Sequence, residues 1–234
     1  MPPTHSHAVP PLKSPHPSAL QAALAQRVSG ASLLATALPG SDLRLWLIDP
    51  ANMDRPFDAA EREHILDEPP YWCFCWASGL AMAHWLARHP EAVRGKRVLD
   101  FGAGSGIAGI AAARAGAAQV VACDLDPLAL AACRANAQLN GVQLGESRDF
   151  FAEAADYDLV LAADVLYDRE NMPILDEFLR KAPRTLVADS RVRNFSRAGY
   201  RRLAVLDACT WPDLGEPEEF RHVSLYEGGP SHRT

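Results

Sequence analysis

The stretch from Arg97 to Pro127, RVLDFGAGSGIAGIAAARAGAAQVVACDLDP, leaves this chain few ways to fold. Arg97 to Phe101 is a short apolar run of the kind that forms a buried strand. Gly102, Gly104 and Gly106 follow at alternate positions. A backbone this bare lets a ligand come close, because no Cβ stands in the way. Ile107 to Ala118 is alanine-rich and predicts a helix, with Gly116 near its end. Gln119 to Cys123 is a second apolar run, closed by Asp124. Strand, glycine loop, helix, strand and an acid about 20 residues after the first glycine make the nucleotide-binding βαβ unit. In such a unit the loop and the helix N-terminus hold the polar middle of the ligand, and the acid takes the ribose hydroxyls.

One residue discriminates between nucleotides. Asp100 stands two positions before the first glycine, at the end of the strand. Its carboxylate would repel a dinucleotide diphosphate and attract a ligand carrying an ammonium group. S-adenosylmethionine has an adenosine, an amino-acid ammonium and no phosphate, so the pattern Asp-x-Gly-x-Gly-x-Gly favours it over NAD. Gly104 to Gly109 also spells G-x-G-x-x-G, which keeps an NAD oxidoreductase among the alternatives.

The chain has 234 residues, 48 % of them apolar, enough for one α/β domain with an extension. A net charge of −6 argues against nucleic-acid binding. No apolar run reaches the roughly 18 residues that a membrane span needs. Five scattered cysteines fit buried thiols in a reducing, cytoplasmic setting, and no spacing points to a metal site. Residues 1–18 are rich in proline and histidine and are expected to be a disordered tail. Residues 19–90 read as an N-terminal extension covering the cofactor cleft, and 91–234 as the S-adenosylmethionine-binding domain.

Within the extension, Ala19 to Leu38 reads as a helix pair broken at Gly30, and Leu43 to Pro50 as an accessory strand. Residues 51–68 read as a loop with a short helix. Four aromatics fall between Tyr71 and Trp76, followed by a helical pattern that His89-Pro90 ends. Beyond the nucleotide unit, Asp126-Pro127 opens a helix that Asn140-Gly141 closes. Val142 to Leu144 reads as a third strand, Asp158 to Ala163 as a fourth and Thr185 to Ala188 as a fifth, with a helix over 170–181 between the last two. Leu203 to Leu206 and His222 to Tyr226 form a late strand pair. The architecture expected is α/β: a Rossmann-like, seven-stranded, mostly parallel sheet with its last strand antiparallel and helices on both faces. Arg180 to Arg202 holds eight basic residues against Asp189 alone, a solvated face or a docking surface for an acidic protein.

The span from Pro69 to Gly229 resembles the seven-strand, class I S-adenosylmethionine-dependent methyltransferases. Within them it is most similar to lysine methyltransferases related to the one that acts on the electron-transfer-flavoprotein β-subunit, and to nicotinamide N-methyltransferase-like bacterial proteins. Pro70-Tyr71-Trp72 with Phe74, Trp76 and Gly79 carries the resemblance, together with Val98 to Gly106 and Asp164-x-x-Tyr167. It implies that Asp100, Gly102, Gly104 and Gly106 face the methionine part of the cofactor and that Asp124 takes the ribose. It further implies that Asp149 and Phe150 lie near the adenine, that Trp76 packs on the cofactor, and that Ala163 lines the cleft. Asp164 and Tyr167 are the implied catalytic pair. Methyl transfer is an in-line displacement, so Asp164 would draw in an ammonium and orient it, while Tyr167 walls the amine or bonds to it. A lysine of a protein substrate is the acceptor expected. A small amine or pyridine-type substrate and a catalytically silent cofactor-binding module are the alternatives.

Overall fold

The computed structural model describes residues 17–154, 156–166, 172–192 and 196–229. A two-stranded hairpin pairs β1 (Leu33–Ala37) with β2 (Arg44–Ile48). A seven-stranded sheet holds β3 (Arg97–Phe101), β4 (Gln119–Cys123), β5 (Gly145–Ser147), β6 (Leu159–Ala163), β7 (Thr185–Asp189), β8 (Tyr200–Asp207) and β9 (His222–Gly228). Their order is β5-β4-β3-β6-β7-β9-β8. Strands β3 to β7 run parallel, and β9 lies antiparallel between β7 and β8. This is the Rossmann-like sheet, last strand antiparallel, that the sequence leads one to expect.

The helices are α1 (Ser18–Arg27), α2 (Ala59–Asp67), α3 (Ala77–Arg88), α4 (Ile107–Arg114), α5 (Pro127–Leu139) and α6 (Ile174–Lys181). Central strands buried on both faces read as continuous apolar runs, and neighbouring residues serve opposite sides. Val98, Leu159, Leu161 and Leu186 pack with α3 and α4. Leu99, Val160, Ala162 and Val187 pack with Leu175 and Phe178 of α6. From β3 the chain winds outward through β4 to β5, then returns to β6 on the other side of β3. That reversal is a topological switch point, and it opens a crevice at the C-terminal ends of β3 and β6.

Three sequence expectations are corrected. Ala19 to Leu38 is one helix and one strand, not a helix pair. After Gly30, which sits at φ +72°, the chain enters β1 and pairs Leu33 with Ile48. Burial of Leu33 and Ile48 with Leu20 and Leu24 of α1 and Ala129 and Ala132 of α5 outweighs the helical preference of the alanines and leucines. The third strand begins at Gly145, after Val142 to Leu144, because the Val142 N–H already donates to Ala137 O (3.0 Å) in closing α5. Helix α6 begins at Ile174; residues 170 and 171 lie outside the described residues. Of the expected tail, residues 1–16 also lie outside them, and Ser18 already belongs to α1.

Asn136 ties the hairpin to the glycine loop. Fully buried on α5, it accepts the Trp46 N–H (2.7 Å) and donates to Ser105 O (2.8 Å). Asn136→Ala would remove both of these hydrogen bonds, and is expected to destabilise the fold by about 2–3 kcal/mol. Urea unfolding of the two proteins measures this, with the loss appearing in the midpoint and not in the slope.

Candidate active site

Strand β3 runs out at Phe101 into three glycines at positive φ: Gly102 (+64°), Gly104 (+53°) and Gly106 (+80°). The Gly102 and Ala103 N–H groups both donate to Cys123 O, at 2.9 and 3.2 Å, which fastens the loop to the end of β4. The glycines are bare for different reasons. A Cβ on Gly102 would meet Val165 Cγ1 at 2.9 Å, and one on Gly106 would meet Cys133 Sγ at 3.0 Å. A Cβ on Gly104 would find nothing nearer than Gly102 O at 3.9 Å. Gly104 is therefore bare towards open space, as a ligand cradle requires.

Asp100 is buried near the end of β3. Its Oδ2 accepts the N–H of Gly109 in the first turn of α4 (2.8 Å), and the residue is 2 % exposed. Gly109 must lack a side chain, since a Cβ there would lie 2.9 Å from that oxygen. Burial pushes the Asp100 carboxyl up to about 7; the Gly109 hydrogen bond opposes the shift and the charge of Asp124 adds to it. The anion place at the N-terminus of α4 is thus filled by the protein's own carboxylate. Between positions 97 and 127 the basic residues are Arg97 and Arg114, paired with Asp156 and Asp42. Bare amides and two acids, with no cation supplied by this unit, fit an adenosyl ligand with an ammonium group. They do not fit a diphosphate.

Asp124 accepts the N–H of Gly104 (2.9 Å) and of Asp126 (3.0 Å), and partial burial raises its carboxyl. It therefore braces the cradle from the β4 side. Asp149, exposed after β5, accepts the N–H groups of Phe151 (2.9 Å) and Ala152 (3.1 Å). The Phe150 ring is buried edge-on against Phe101 and Phe178, so only its main chain is offered outward. Trp76, half-buried, donates its ring N–H to Tyr71 O (3.0 Å) and packs beside Phe74 and Tyr71. That aromatic segment is clasped from behind, where Cys75 and Trp211 exchange main-chain bonds of 2.8 Å each.

Ala163 ends β6, half-buried, and Asp164 follows at φ +54°, the one non-glycine residue in that region among those described. The conformation costs about 1–2 kcal/mol, and aspartate is among the residues that tolerate it. The Asp164 carboxylate accepts the Ser78 N–H (3.1 Å) and hydroxyl, and more weakly the Ser190 hydroxyl (3.4 Å). Burial pushes it up to about 6; the Ser78 hydrogen bonds oppose that, Asp189 adds to it and Arg191 opposes it. Tyr167 lies outside the described residues.

Sequence reading missed Ser78, Ser190 and Asp189. Asp189 ends β7, is 2 % exposed, and accepts N–H groups from Leu166, Arg191 and Val192. It joins the loops that follow β6 and β7. The visible signal was an acid closing an apolar strand, the same sign that marked Asp124. The basic run is largely neutralised: Arg180, Arg184, Arg191, Arg197 and Arg201 pair with Glu177, Glu227, Glu216, Asp176 and Glu227.

Asp100 and Asp164 hold protons in the folded chain to about 7 and about 6, against roughly 4 when unfolded. Their contribution to stability is full below about pH 4 and is lost as pH rises through the folded values. The ligand-free protein is expected to melt at a lower temperature at about pH 8 than at about pH 5. Asp100→Asn keeps an acceptor for Gly109 and should flatten that fall. Fluorimetric melting across this range checks it; a variant with the wild-type slope would contradict the assignment.

Residues 84–186 match the family model described as ribosomal protein L11 methyltransferase (PrmA). The Danio rerio electron transfer flavoprotein beta subunit lysine methyltransferase is 34 % identical over 176 residues, covering 70 % of this chain and 68 % of that one. The Xenopus laevis protein of the same name is 39 % identical over 122 residues, covering 50 % of this chain and 48 % of that one. The chain thus spans from about half to two thirds of the length of these relatives. Among solved structures, magnesium protoporphyrin IX methyltransferase from Synechocystis PCC 6803 with bound SAM shares the fold at 18 % identity. Its TM-score is 0.51, with 77 % of this chain and 86 % of that chain covered. The chain belongs to the family of the electron transfer flavoprotein beta subunit lysine methyltransferases, within the class I S-adenosylmethionine-dependent methyltransferases.

Proposed function

We propose that this protein transfers a methyl group from S-adenosylmethionine to the side-chain amine of a lysine in a protein substrate. The observation that carries this reading is the Asp164 carboxylate, held by Ser78 at the N-terminus of α3 and reached from the end of β6, beside the glycine cradle. The relatives' lysine-directed activity supports the choice of acceptor. When bound, the cofactor supplies an electrophilic methyl group on a sulfonium. Asp100 and the Gly102–Gly106 loop would hold its methionine part and Asp124 its ribose. The main chain at Asp149 and Phe150 would border the adenine, and Trp76, from the extension that we assign as the cover of the cleft, would pack on it. Ala163, small and half-buried, would leave room for the acceptor.

A lysine amine has a pKa near 10.4 and arrives as an ammonium. Asp164 attracts and orients that ammonium. An aspartate is too weak a base to keep the proton at neutral pH, so the proton leaves to water. Desolvation among the aromatics of the extension lowers the amine pKa and raises the neutral fraction. Tyr167 is assigned the wall of this subsite. A cytoplasmic setting belongs to the same proposal, supported by five free thiols, four of them buried.

Incubation of the protein with labelled S-adenosylmethionine and cell lysate is expected to label a protein band at lysine. Label in the small-molecule fraction alone would move the acceptor to a small amine, and no transfer at all would leave a silent binding module. Asp164→Asn should lower turnover by about 100-fold or more while cofactor-induced thermal stabilisation is kept. Full activity in that variant would sink the role given to Asp164.

A further inference from the structure

We propose that Ser78 is a positioning residue for this transfer, its main-chain N–H and hydroxyl holding the two oxygens of Asp164 in one orientation toward the acceptor amine, with Ser190 as a weaker second donor. The inference rests on the function proposed above and adds residues from two further elements to it.

The Asp164 backbone, at φ +54°, carries its side chain away from the strand end in a direction that strand geometry would not give. A side chain placed like this acts in one orientation only if something fixes it. Ser78 Oδ-directed bonds do so from both sides: its N–H reaches Oδ2 and its hydroxyl reaches Oδ1. Capping the helix needs only the N–H. The hydroxyl is extra, since Ser78 is fully buried and an alanine would complete α3 equally well. The hydroxyl donates to Asp164 Oδ1.

The clamp sits on a rigid support. Gly79 presses α3 so close to α4 that a Cβ there would lie 2.7 Å from Ile107 Cγ2, and the Ala77 N–H is held by Thr210 Oγ1 at 3.3 Å. Second-layer donors on such packed elements fix a reacting group better than loop residues can. The other titratable or charged groups facing Asp164 among the described residues are Asp189, Arg191 and Cys75. Asp189 repels its charge. Arg191 is shared with Glu216 (2.7 Å) and the Phe220 ring (4.6 Å). Cys75 is fully buried and its thiol is pushed up, chiefly by burial, so it brings no charge. Among the described residues, the fixed donors left to hold the carboxylate are Ser78 and Ser190.

The test compares wild type with Ser78→Ala and Ser190→Ala by two measurements. One is the pH profile of kcat with labelled S-adenosylmethionine and the methylated protein band as substrate. The other is direct titration of the Asp164 carboxyl carbon by NMR, which does not depend on turnover. Loss of a hydrogen bond to a charged group should move the Asp164 titration and the acid limb of kcat upward by about one pH unit in Ser78→Ala. In Ser190→Ala the shift should be smaller. At neutral pH kcat should fall about tenfold in Ser78→Ala with KM for the cofactor unchanged. An unmoved Asp164 titration would overturn the proposal, and so would a moved titration with unaltered kcat. A wild type that transfers no methyl group would overturn the proposed function together with this inference. An active wild type beside an unaltered Ser78→Ala would overturn this inference alone.

Discussion

Two helices point their N-termini at the same crevice, and each meets a carboxylate near a strand end, Asp100 buried and Asp164 half-buried. Asp100 on β3 receives the Gly109 N–H of α4, and Asp164 at the end of β6 receives the Ser78 N–H of α3. Neither helix caps itself with its own side chain: Gly106 has none, and Trp76 makes no capping bond. The first turn of a helix carries unpaired N–H groups and partial positive charge, so an anion there is favourable. A buried carboxylate without such donors would be unfavourable. Each partner thus answers the other's need, and β3, β6, α3 and α4 are tied together at the crevice assigned to the ligand.

The solution is incomplete on purpose of chemistry and not of packing. Both acids still bind protons more tightly than an exposed aspartate does, because their donors do not repay all the lost hydration. A cation arriving in the crevice completes what the helices leave undone. In the function proposed above, affinity for an ammonium-bearing cofactor and for an ammonium-bearing acceptor would follow from the same shortfall, at some cost to the ligand-free fold. The two acids stand on neighbouring strands, Asp100 pairing with Leu161 on β6, three residues before Asp164. On the proposed function, cofactor and acceptor would lie at adjacent positions.

The extension is joined to this arrangement. The Asn136 amide couples β2 to the glycine loop, and Ser78 couples α3 to Asp164. Trp76 lies between, two residues before Ser78, as the N-cap residue of α3. The extension and the glycine loop are therefore joined by hydrogen bonds through α5.

Much of this was legible in the chain. Arg97 to Asp124 determined a βαβ unit, because buried strands, a bare turn and an alanine-rich helix leave one sensible packing. Asp100 before the first glycine gave the expectation of a ligand that carries positive charge. Ala19 to Leu38 misled, since its alanines and leucines favour a helix and only pairing with Ile48 and burial with α1 and α5 make Leu33–Ala37 a strand. The left-handed turn at Asp164 left no mark in composition or spacing, because aspartate tolerates it without requiring it. What the sequence alone determined was the fold, carried by local pattern. What only the tertiary structure decided was which donors meet the two acids, since Ser78 and Asp164 stand 86 residues apart and hydrogen bonding across that distance has no signature in the sequence.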